Sequence, residues 1–135
     1  MSEEKSPRIT SAVLVEKDGK FLLGERNKDS AKGYWVIPGG GVKFGETIYD
    51  AAIREIKEET NLDVEIIKLI GYKEVIVTEH NYHRLIFFHL AKPKHTNIEA
   101  KDDISKAEFF SIEEIKKLKL IDSAQWALKE AGFWK

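Results

Sequence analysis

Alternating apolar and polar segments along the chain predict several short β-strands. The apolar run Ile9–Glu16 is rich in β-branched residues, and the turn signal Asp18-Gly19 separates it from the next apolar run, Lys20–Leu23. Together these segments predict a β-hairpin. Four more runs have the composition of strands: Tyr34–Ile37, Val64–Thr78, Leu85–Leu90 and Glu108–Phe110. Polar segments that predict loops are Asn27–Gly33, Glu79–Arg84 and Pro93–Lys101.

Helical periodicity is found in the middle and at the end of the chain. The first helix is predicted from Thr47 to about Thr60, and Asn61 follows where a residue with positive φ ends a helix. Ser111 and Glu114 have the spacing of a capping box, and Ile121–Gly132 predicts a last amphipathic helix. Strands that cluster, instead of alternating regularly with helices, predict an α+β or three-layer fold rather than a repeating βαβ sheet.

The composition limits the classes of protein to which the chain can belong. Its 135 residues fit one domain, expected to span residues 1–135, and 42% hydrophobic residues are enough for a compact core. A net charge of −1 gives no electrostatic reason to expect nucleic acid or a membrane surface as a partner. The absence of cysteine excludes thiol catalysis and thiolate metal sites. The chain shows no signal-peptide core and no apolar run of bilayer length, so we expect a soluble cytoplasmic protein.

The first helix carries an unusual acidic face. Glu55, Glu58 and Glu59 are spaced by three and four residues, which places them on one arc beside an apolar arc. Each such pair of like charges costs roughly 0.2–0.5 kcal/mol, so a purely structural helix would gain by losing one of them. A divalent cation would remove the repulsion, because hard cations prefer carboxylate oxygen. The apolar arc consists of Tyr49, Ala52, Ile53 and Ile56.

Two further charged residues flank this acidic face. Arg54 precedes Glu58 by four residues, so it can hold that carboxylate or, alternatively, lie near a bound phosphate. Glu46 lies at the start of the helix, where the helix dipole and the unpaired amides favour a carboxylate. This position predicts a structural role for Glu46 as an N-terminal cap rather than a catalytic role.

A glycine-rich segment precedes the acidic helix at a fixed distance. Pro38-Gly39-Gly40-Gly41 allows the backbone to turn tightly and to approach a ligand or metal closely. A carbonyl oxygen of this segment could complete the coordination of a cation held by the glutamates. A glycine run alone usually indicates only a turn, but its combination with the three-glutamate face is much more specific.

Taken together, these residues resemble the Nudix box. The positions that match are Gly40, Glu46, Arg54-Glu55-Ile56, Glu58-Glu59 and Leu62. The box departs from the family pattern at Asn61, where the family has glycine, and Asn tolerates the helix-ending conformation that this position needs. The flanking segments Tyr34-Trp35 and Glu108-Phe109-Phe110 also resemble the family. The resemblance implies the Nudix fold, of α+β class, in which a mixed β-sheet is sandwiched between α-helices.

The resemblance also implies a reaction and a set of site residues. Nudix hydrolases cleave a nucleoside diphosphate linked to another moiety with the help of Mg²⁺ or Mn²⁺. By position, Glu55, Glu58 and Glu59 are the expected metal ligands, together with the carbonyl oxygen of Gly39. The base that activates water is left open between Glu55 and Asp103. For Asp103 and its neighbour Asp102, the alternative is a solvated loop without a catalytic role.

The resemblance leaves the substrate open. The segments from Leu23 to Asn27 and from Gly33 to Trp35 resemble family members that act on nucleotide sugars, whereas the full glutamate set argues against a GDP-mannose-type glycosyl hydrolase. The proline that often follows the box in ADP-ribose pyrophosphatases is absent, which disfavours that substrate without excluding it. A nucleoside triphosphate pyrophosphatase and a non-catalytic nucleotide-binding module are the alternatives. We therefore expect a small nucleotide as partner, and the resemblance leaves monomer and homodimer open.

Candidate substrate contacts come from a few scattered side chains. Arg26 could reach a phosphate, and Tyr34 or Tyr72 could stack on a base, although each is more often a surface or core residue. His80 or His83 could line a site. Isolated histidines at such spacings, His89 included, are more often partly exposed, and His95 is expected to be solvated.

Overall fold

The computed structural model describes residues 5–27 and 31–135, so the predicted loop Asn27–Gly33 lies partly outside the described residues. The strands are β1 (Arg8–Lys17), β2 (Lys20–Arg26), β3 (Trp35–Val36), β4 (Gly39–Gly41), β5 (Val64–Val77), β6 (Tyr82–Pro93) and β7 (Ile104–Phe110). The helices are α1 (Ile48–Thr60), α2 (Ile112–Ile115) and α3 (Asp122–Glu130), with a short 3₁₀ turn at Thr78–His80.

The predicted hairpin is confirmed. Glu16 pairs with Phe21 and Lys17 with Lys20, while Asp18 and Gly19 have φ angles of 53° and 78°. Positive φ at both central residues is what a type I′ turn requires, and its twist matches that of the flanking strands.

The other strands differ from the sequence prediction mainly at their ends. The run Tyr34–Ile37 contributes only the two residues of β3, whereas the glycines, which the sequence predicted as a tightly turning loop close to a ligand or metal, form β4. The strand predicted to begin at Leu85 begins at Tyr82, because the 3₁₀ turn and Asn81, with a φ of 52°, reverse the chain in a few residues. The strand predicted to begin at Glu108 begins at Ile104.

Strand β1 organises a mixed sheet. It pairs parallel with β6 and antiparallel with β4, and β6 pairs antiparallel with β5. Strand β2 pairs antiparallel with β3 and β7, and it joins β1 through the hairpin. The register places Ala12 opposite Gly39, so the glycine strand lies directly against the middle of β1.

Helices cover both faces of this sheet, which confirms the expected layers. Successive side chains of β1 point to opposite faces, as in any strand. Leu14 packs with Phe88 and Leu128 of α3 in one cluster, whereas Val13 packs with Ile56 of α1 in the other. Fully burying a side chain of this kind stabilises the fold by about 1.5–3 kcal/mol, so the two clusters fix the helices on the sheet.

The ends of α1 are set by local hydrogen bonds. The Thr47 side chain accepts from the Asp50 amide at 3.0 Å, and Asn61 ends the helix with a φ of 68°, as predicted. The predicted apolar arc is only partly correct, since Tyr49 and Ile53 are 50% and 40% exposed. The buried face of α1 is shifted toward its C-terminal end and comprises Ala51, Ala52, Ile56, Glu59 and Thr60.

The C-terminal helices follow the prediction closely. Ser111 and Glu114 form the capping box in both directions, and the last helix runs from Asp122 to Glu130 with Ile121 as its N-cap. Among the helices in the described part of the chain, none is both long and apolar enough to cross a membrane.

Candidate active site

Glu59 is a buried carboxyl at the junction of α1 and the glycine strand. Its side chain is on the buried face of the helix, and the residue is only 6% exposed. The Gly39 amide donates to Glu59 Oε1 at 2.8 Å. Burial and then the nearby charge of Glu55 raise the pKa of Glu59 to about 8, while the hydrogen bond from Gly39 acts in the opposite direction. The fold therefore holds this carboxyl in a place where its negative charge is costly.

The glycines of β4 allow α1 and β1 to approach each other. A Cβ on Gly39 would collide with the carbonyl oxygen of Ser11 and with Ala12, and a Cβ on Gly40 would overlap the carboxyl group of Glu55. At Gly39 only glycine leaves enough room, because the neighbouring atoms belong largely to the main chain of β1, whereas a larger residue at position 40 would require the Glu55 carboxyl group to move. The close approach brings the main chain of β4 within hydrogen-bonding reach of the acidic face of α1.

Arg54 is the centre of an ion-pair network on the acidic face. Its guanidinium donates to both oxygens of Glu46, at 2.7 and 2.8 Å, and to the Gly41 carbonyl at 3.0 Å. It also donates to Glu55 Oε1 at 2.6 Å and makes a longer contact of 3.3 Å with Glu58 Oε2. The fork-shaped contact with Glu46 is the strong bidentate kind, and it lowers the pKa of Glu46 to about 2. Arg54 therefore ties the helix to the glycine strand.

The acidic face suits a hard divalent cation in its chemistry. Glu59 is buried beside Glu55, and Asp103 adds a further negative charge that raises the Glu59 pKa. Such a group favours a cation, because a cation offsets the cost of burying its charge. Within residues 5–27 and 31–135, no three acidic or imidazole side chains already converge on one point. Glu55 and Glu58 turn instead toward Arg54, which neutralises them in this arrangement.

The loop before β7 brings Asp103 close to Glu59. The Lys101 amide donates to the Glu59 carbonyl at 2.9 Å, which fastens the loop to the end of α1. Asp102 has a φ of 56°, and the Asn27 amide donates to the Asp103 carbonyl at 3.0 Å. The positive charge of Arg26, at the end of β2, lowers the pKa of Glu59, whereas the negative charge of Asp103 raises it. Residues from three separate segments thus surround Glu59.

A cavity of about 260 Å³ opens beside Gly39 and Glu59. It lies on the α3 side of the mixed sheet, and most of its wall is apolar. The apolar lining residues are Ala12, Ala31, Val36, Ile37, Val75, Val77, Ile86, Phe88 and Ile121. The polar lining residues, besides Glu59, are Thr10, Arg26, His80, Tyr82 and Ser123. An apolar cavity with a few polar groups next to an acidic face is typical of a small-molecule site.

Comparison with known proteins decides the family. The family model for the NUDIX domain matches residues 5–130. The chain belongs to the Nudix family. The match covers both the acidic helix with its glycine strand and the walls of the cavity.

Individual relatives support this assignment. The chain is 34% identical over 112 residues to an ADP-ribose pyrophosphatase of Methanocaldococcus jannaschii, which covers 83% of this chain and 66% of that protein. It is 41% identical over 64 residues to an oxidized purine nucleoside triphosphate hydrolase of Danio rerio, covering 47% of this chain and 41% of that protein. The chain thus spans about two thirds or less of the length of these curated relatives. Among solved structures, a MutT NUDIX hydrolase from Burkholderia pseudomallei has a TM-score of 0.86 at 24% identity, covering 93% of this chain and 98% of that one.

The Nudix box residues lie together, with one correction. Glu46 does not cap α1 as predicted, because the side chain of Thr47 already accepts from the first turn and the Glu46 carboxylate faces Arg54 instead. Its role is still structural in this arrangement, as the partner that holds Arg54. The predicted contact of Arg54 with Glu58 is present but longer than its contacts with Glu46 and Glu55.

The predicted substrate contacts divide into two groups. Arg26 lines the cavity, whereas the lining residues include neither Tyr34 nor Tyr72. The Tyr34 ring lies 4.4 Å from Lys119 Nζ, and Tyr72 is 63% exposed on β5. The structure therefore does not bring these two rings to Glu59. Sequence reasoning missed Tyr82, although it alternates with Ile86 and Phe88 on β6 with the period of two that marks one face of a strand.

The histidines have three different environments. His80 lines the cavity, as predicted for His80 or His83, whereas His83 forms a contact of 2.8 Å with Glu74. His89 is only 1% exposed, which corrects the expectation of a partly exposed residue. His95 was expected to be solvated, but its side chain lies 3.1 Å from Asp63 Oδ2 and is only partly exposed.

Proposed function

We propose that this Nudix chain is a metal-dependent pyrophosphohydrolase that cleaves the diphosphate bond of a nucleoside diphosphate derivative, of the nucleotide-sugar or ADP-ribose type. The observation that carries the proposal is Glu59, buried beside Glu55 and held by the Gly39 amide at the edge of an apolar cavity. The cavity offers a mostly apolar wall for a base or sugar, and the acidic face offers ligands for a cation beside it.

The residues that would hold Mg²⁺ or Mn²⁺ are the three glutamates and the Gly39 carbonyl oxygen. A bound cation would neutralise charge on the diphosphate and orient water. Glu59 is already positioned by Gly39, while Glu55 and Glu58 would have to turn away from Arg54. Arg54 would then remain anchored by Glu46 and the Gly41 carbonyl. Through these two contacts Arg54 would still hold the glycine strand and α1 at a constant distance.

The candidates for the base that accepts a proton from water in the proposed reaction are Glu55 and Asp103. Glu55 lies on α1 against Gly40, and Asp103 lies close enough to Glu59 to affect its pKa. The pH dependence of kcat for Glu55→Gln and Asp103→Asn separates the two residues, because loss of the base removes the acidic limb of the profile.

Two relatives guide the choice of substrate class. The M. jannaschii relative is an ADP-ribose pyrophosphatase that aligns with most of this chain, which supports a diphosphate with a sugar on each side. The D. rerio relative acts on nucleoside triphosphates, and the higher identity of its shorter alignment keeps a triphosphate pyrophosphatase as the second candidate.

The first test replaces Glu59 by Gln. A glutamine oxygen can still accept from Gly39, so the fold should be retained, while turnover with Mg²⁺ should fall by more than about a hundredfold. Glu113→Gln, on the exposed surface of α2, removes a carboxylate elsewhere and should leave turnover unchanged. Wild-type turnover in Glu59→Gln would refute the metal assignment.

The second test is a panel of nucleotides incubated with the wild-type protein and Mg²⁺. Products identified by chromatography distinguish cleavage of ADP-ribose or a nucleotide sugar from release of pyrophosphate by a triphosphate, and from release of free mannose by GDP-mannose. Nucleotide binding without any product would contradict the proposal and favour a non-catalytic module.

A further inference from the structure

Two arginines lie side by side at one end of the cavity. Arg8 at the start of β1 and Arg84 on β6 are direct partners in the parallel pairing of these strands. Two residues further along the same strands, Thr10 and Ile86 line the cavity. Side chains two residues apart in a strand point to the same face, so Arg8 and Arg84 stand at the mouth of the cavity.

Among the residues that the structure describes, carboxylates do not neutralise this pair. In the described parts of the chain, neither Arg8 nor Arg84 forms an ion pair with Asp or Glu. On the neighbouring strand β5, Glu74 is bound to His83 at 2.8 Å. Like charges that face each other on adjacent strands destabilise a sheet. An anion bound beside the pair would relieve this repulsion.

Both guanidinium groups are held close to the candidate active site. The Arg84 guanidinium lies 4.6 Å from the centre of the Tyr82 ring, and Tyr82 is itself part of the cavity wall. Arg8 Nη2 lies above Gly41, 3.2 Å from the position that a Cβ would take there. The Gly41 carbonyl accepts from Arg54 at 3.0 Å. The pair therefore links the mouth of the cavity to the glycine strand that contacts Glu59.

A third cation adds to the positive charge of this region. Lys5, just before β1, donates to the side chain of Asn81 at 2.6 Å. It borders a shallow depression that also includes Arg8, Arg84 and Tyr82. Tyr82 borders both the depression and the cavity, so the two lie next to each other.

We propose that Arg8 and Arg84 together bind a phosphate group of the nucleotide substrate at the mouth of the cavity. The identity of the ligand as a nucleotide rests on the proposed function. Guanidinium groups bind phosphate oxygens in a bidentate manner, and two adjacent groups provide donors to more than one oxygen. A base or sugar in the apolar cavity would then have its phosphates directed along the glycine strand toward the acidic face.

The test compares ADP with adenosine as ligands, in the presence of EDTA so that no metal contributes. Amide chemical-shift titrations at low ionic strength give the dissociation constants for the wild type, Arg8→Gln and Arg84→Gln, and the same spectra report folding. Each variant should bind ADP about tenfold or more weakly, because a charge-assisted hydrogen bond is lost. Adenosine, which lacks phosphate, should bind each variant and the wild type equally. Lys68→Gln, which removes an exposed cation near the other end of β5, should leave ADP affinity unchanged.

Several results would overturn the phosphate site. These are wild-type affinity for ADP in both arginine variants, equal losses for ADP and adenosine, an equal loss in Lys68→Gln, or a wild-type protein that does not bind ADP. The measurement involves no turnover, so it separates the two proposals. Loss of ADP affinity in a protein that hydrolyses nothing would support the phosphate site and refute the proposed function. Unchanged ADP affinity in the two arginine variants of an active enzyme would refute the phosphate site and support the proposed function.

Discussion

At the scale of single residues, Ser11, Ile48 and His89 form a buried polar chain beneath the start of α1. Ser11 Oγ donates to the Ile48 carbonyl at 2.6 Å and lies 2.8 Å from His89 Nε2. A hydroxyl has one proton, so His89 Nε2 must be the donor to Ser11. His89 Nδ1 is then unprotonated, and within the described residues it has no hydrogen-bond partner. Burial lowers the pKa of His89, because a charged imidazole would lose its hydration.

His89 should make stability depend on pH in the weakly acidic range. Its pKa in the unfolded chain is near the ordinary value of 6.5, and the folded-state value is lower. The unfolded state therefore takes up a proton first, and the free energy of unfolding falls as pH drops through 6.5 until the folded-state pKa is reached. The slope contributed by His89 is at most about 1.4 kcal/mol per pH unit.

Urea denaturation at pH 7.5 and 5.5 checks this prediction. The matched variant His89→Gln keeps a donor for Ser11 but cannot titrate, so it should lose less stability between the two pH values than the wild type. An equal loss of unfolding free energy in the wild type and in His89→Gln would show that His89 is not responsible for the pH dependence.

At the scale of elements, the close packing of β4 against β1 and α1 determines the geometry of the candidate site. Gly39 and Gly40 are neighbours in β4, yet a side chain at each would meet a different kind of obstacle. At Gly39 the obstacle is the main chain of β1, which cannot move without breaking the sheet. At Gly40 it is the end of the Glu55 side chain, which can rotate away.

Alanine substitutions should therefore separate stability from activity. Gly39→Ala should cost about 1–3 kcal/mol of unfolding free energy, as overpacking of a tight core does. Gly40→Ala should leave stability nearly unchanged but displace Glu55 and reduce kcat about tenfold or more, as loss of a supporting contact at a metal site does. Thermal unfolding and the rate on the substrate found with the panel measure the two effects. A Gly40→Ala protein that is strongly destabilised, or fully active, would contradict the assigned packing.

At the scale of the whole molecule, the small net charge of −1 conceals an uneven distribution of charge. Carboxylates are concentrated at α1 and the Asp103 loop, whereas Arg8, Arg84 and Lys5 border the depression next to the cavity. A cation that binds the acidic face of the folded chain, and not the unfolded chain, stabilises the native state by mass action.

Mg²⁺ should therefore raise the free energy of unfolding, and EDTA should reverse the effect. At a free concentration of one hundred times Kd, the expected gain is about 2.7 kcal/mol. Denaturation with and without Mg²⁺ should show this gain in the wild type and in Glu113→Gln, and little of it in Glu59→Gln. An equal gain in Glu59→Gln would place the cation elsewhere.

Local features of the sequence predicted much of the fold. The hairpin turn at Asp18-Gly19, the end of α1 at Asn61 and the capping box at Ser111 depend on a few neighbouring residues, and each is confirmed. The acidic face of α1 likewise follows from a period of 3.6 residues. The extra strand β4 was missed because three glycines carry no side-chain pattern, and their pairing depends on a partner elsewhere in the chain.

The sequence by itself therefore determined the family, the fold class and the set of acidic residues, since these depend on spacing along the chain. Only the tertiary structure decided that Gly39 holds Glu59, that Arg54 pairs with Glu46 rather than Glu46 capping the helix, and that Tyr82 lines the cavity. It also decided that Arg8 and Arg84 stand side by side. These contacts join residues far apart in the chain, and their geometry follows from strand register and from how closely a helix packs on a sheet. Neither quantity can be read from local spacing.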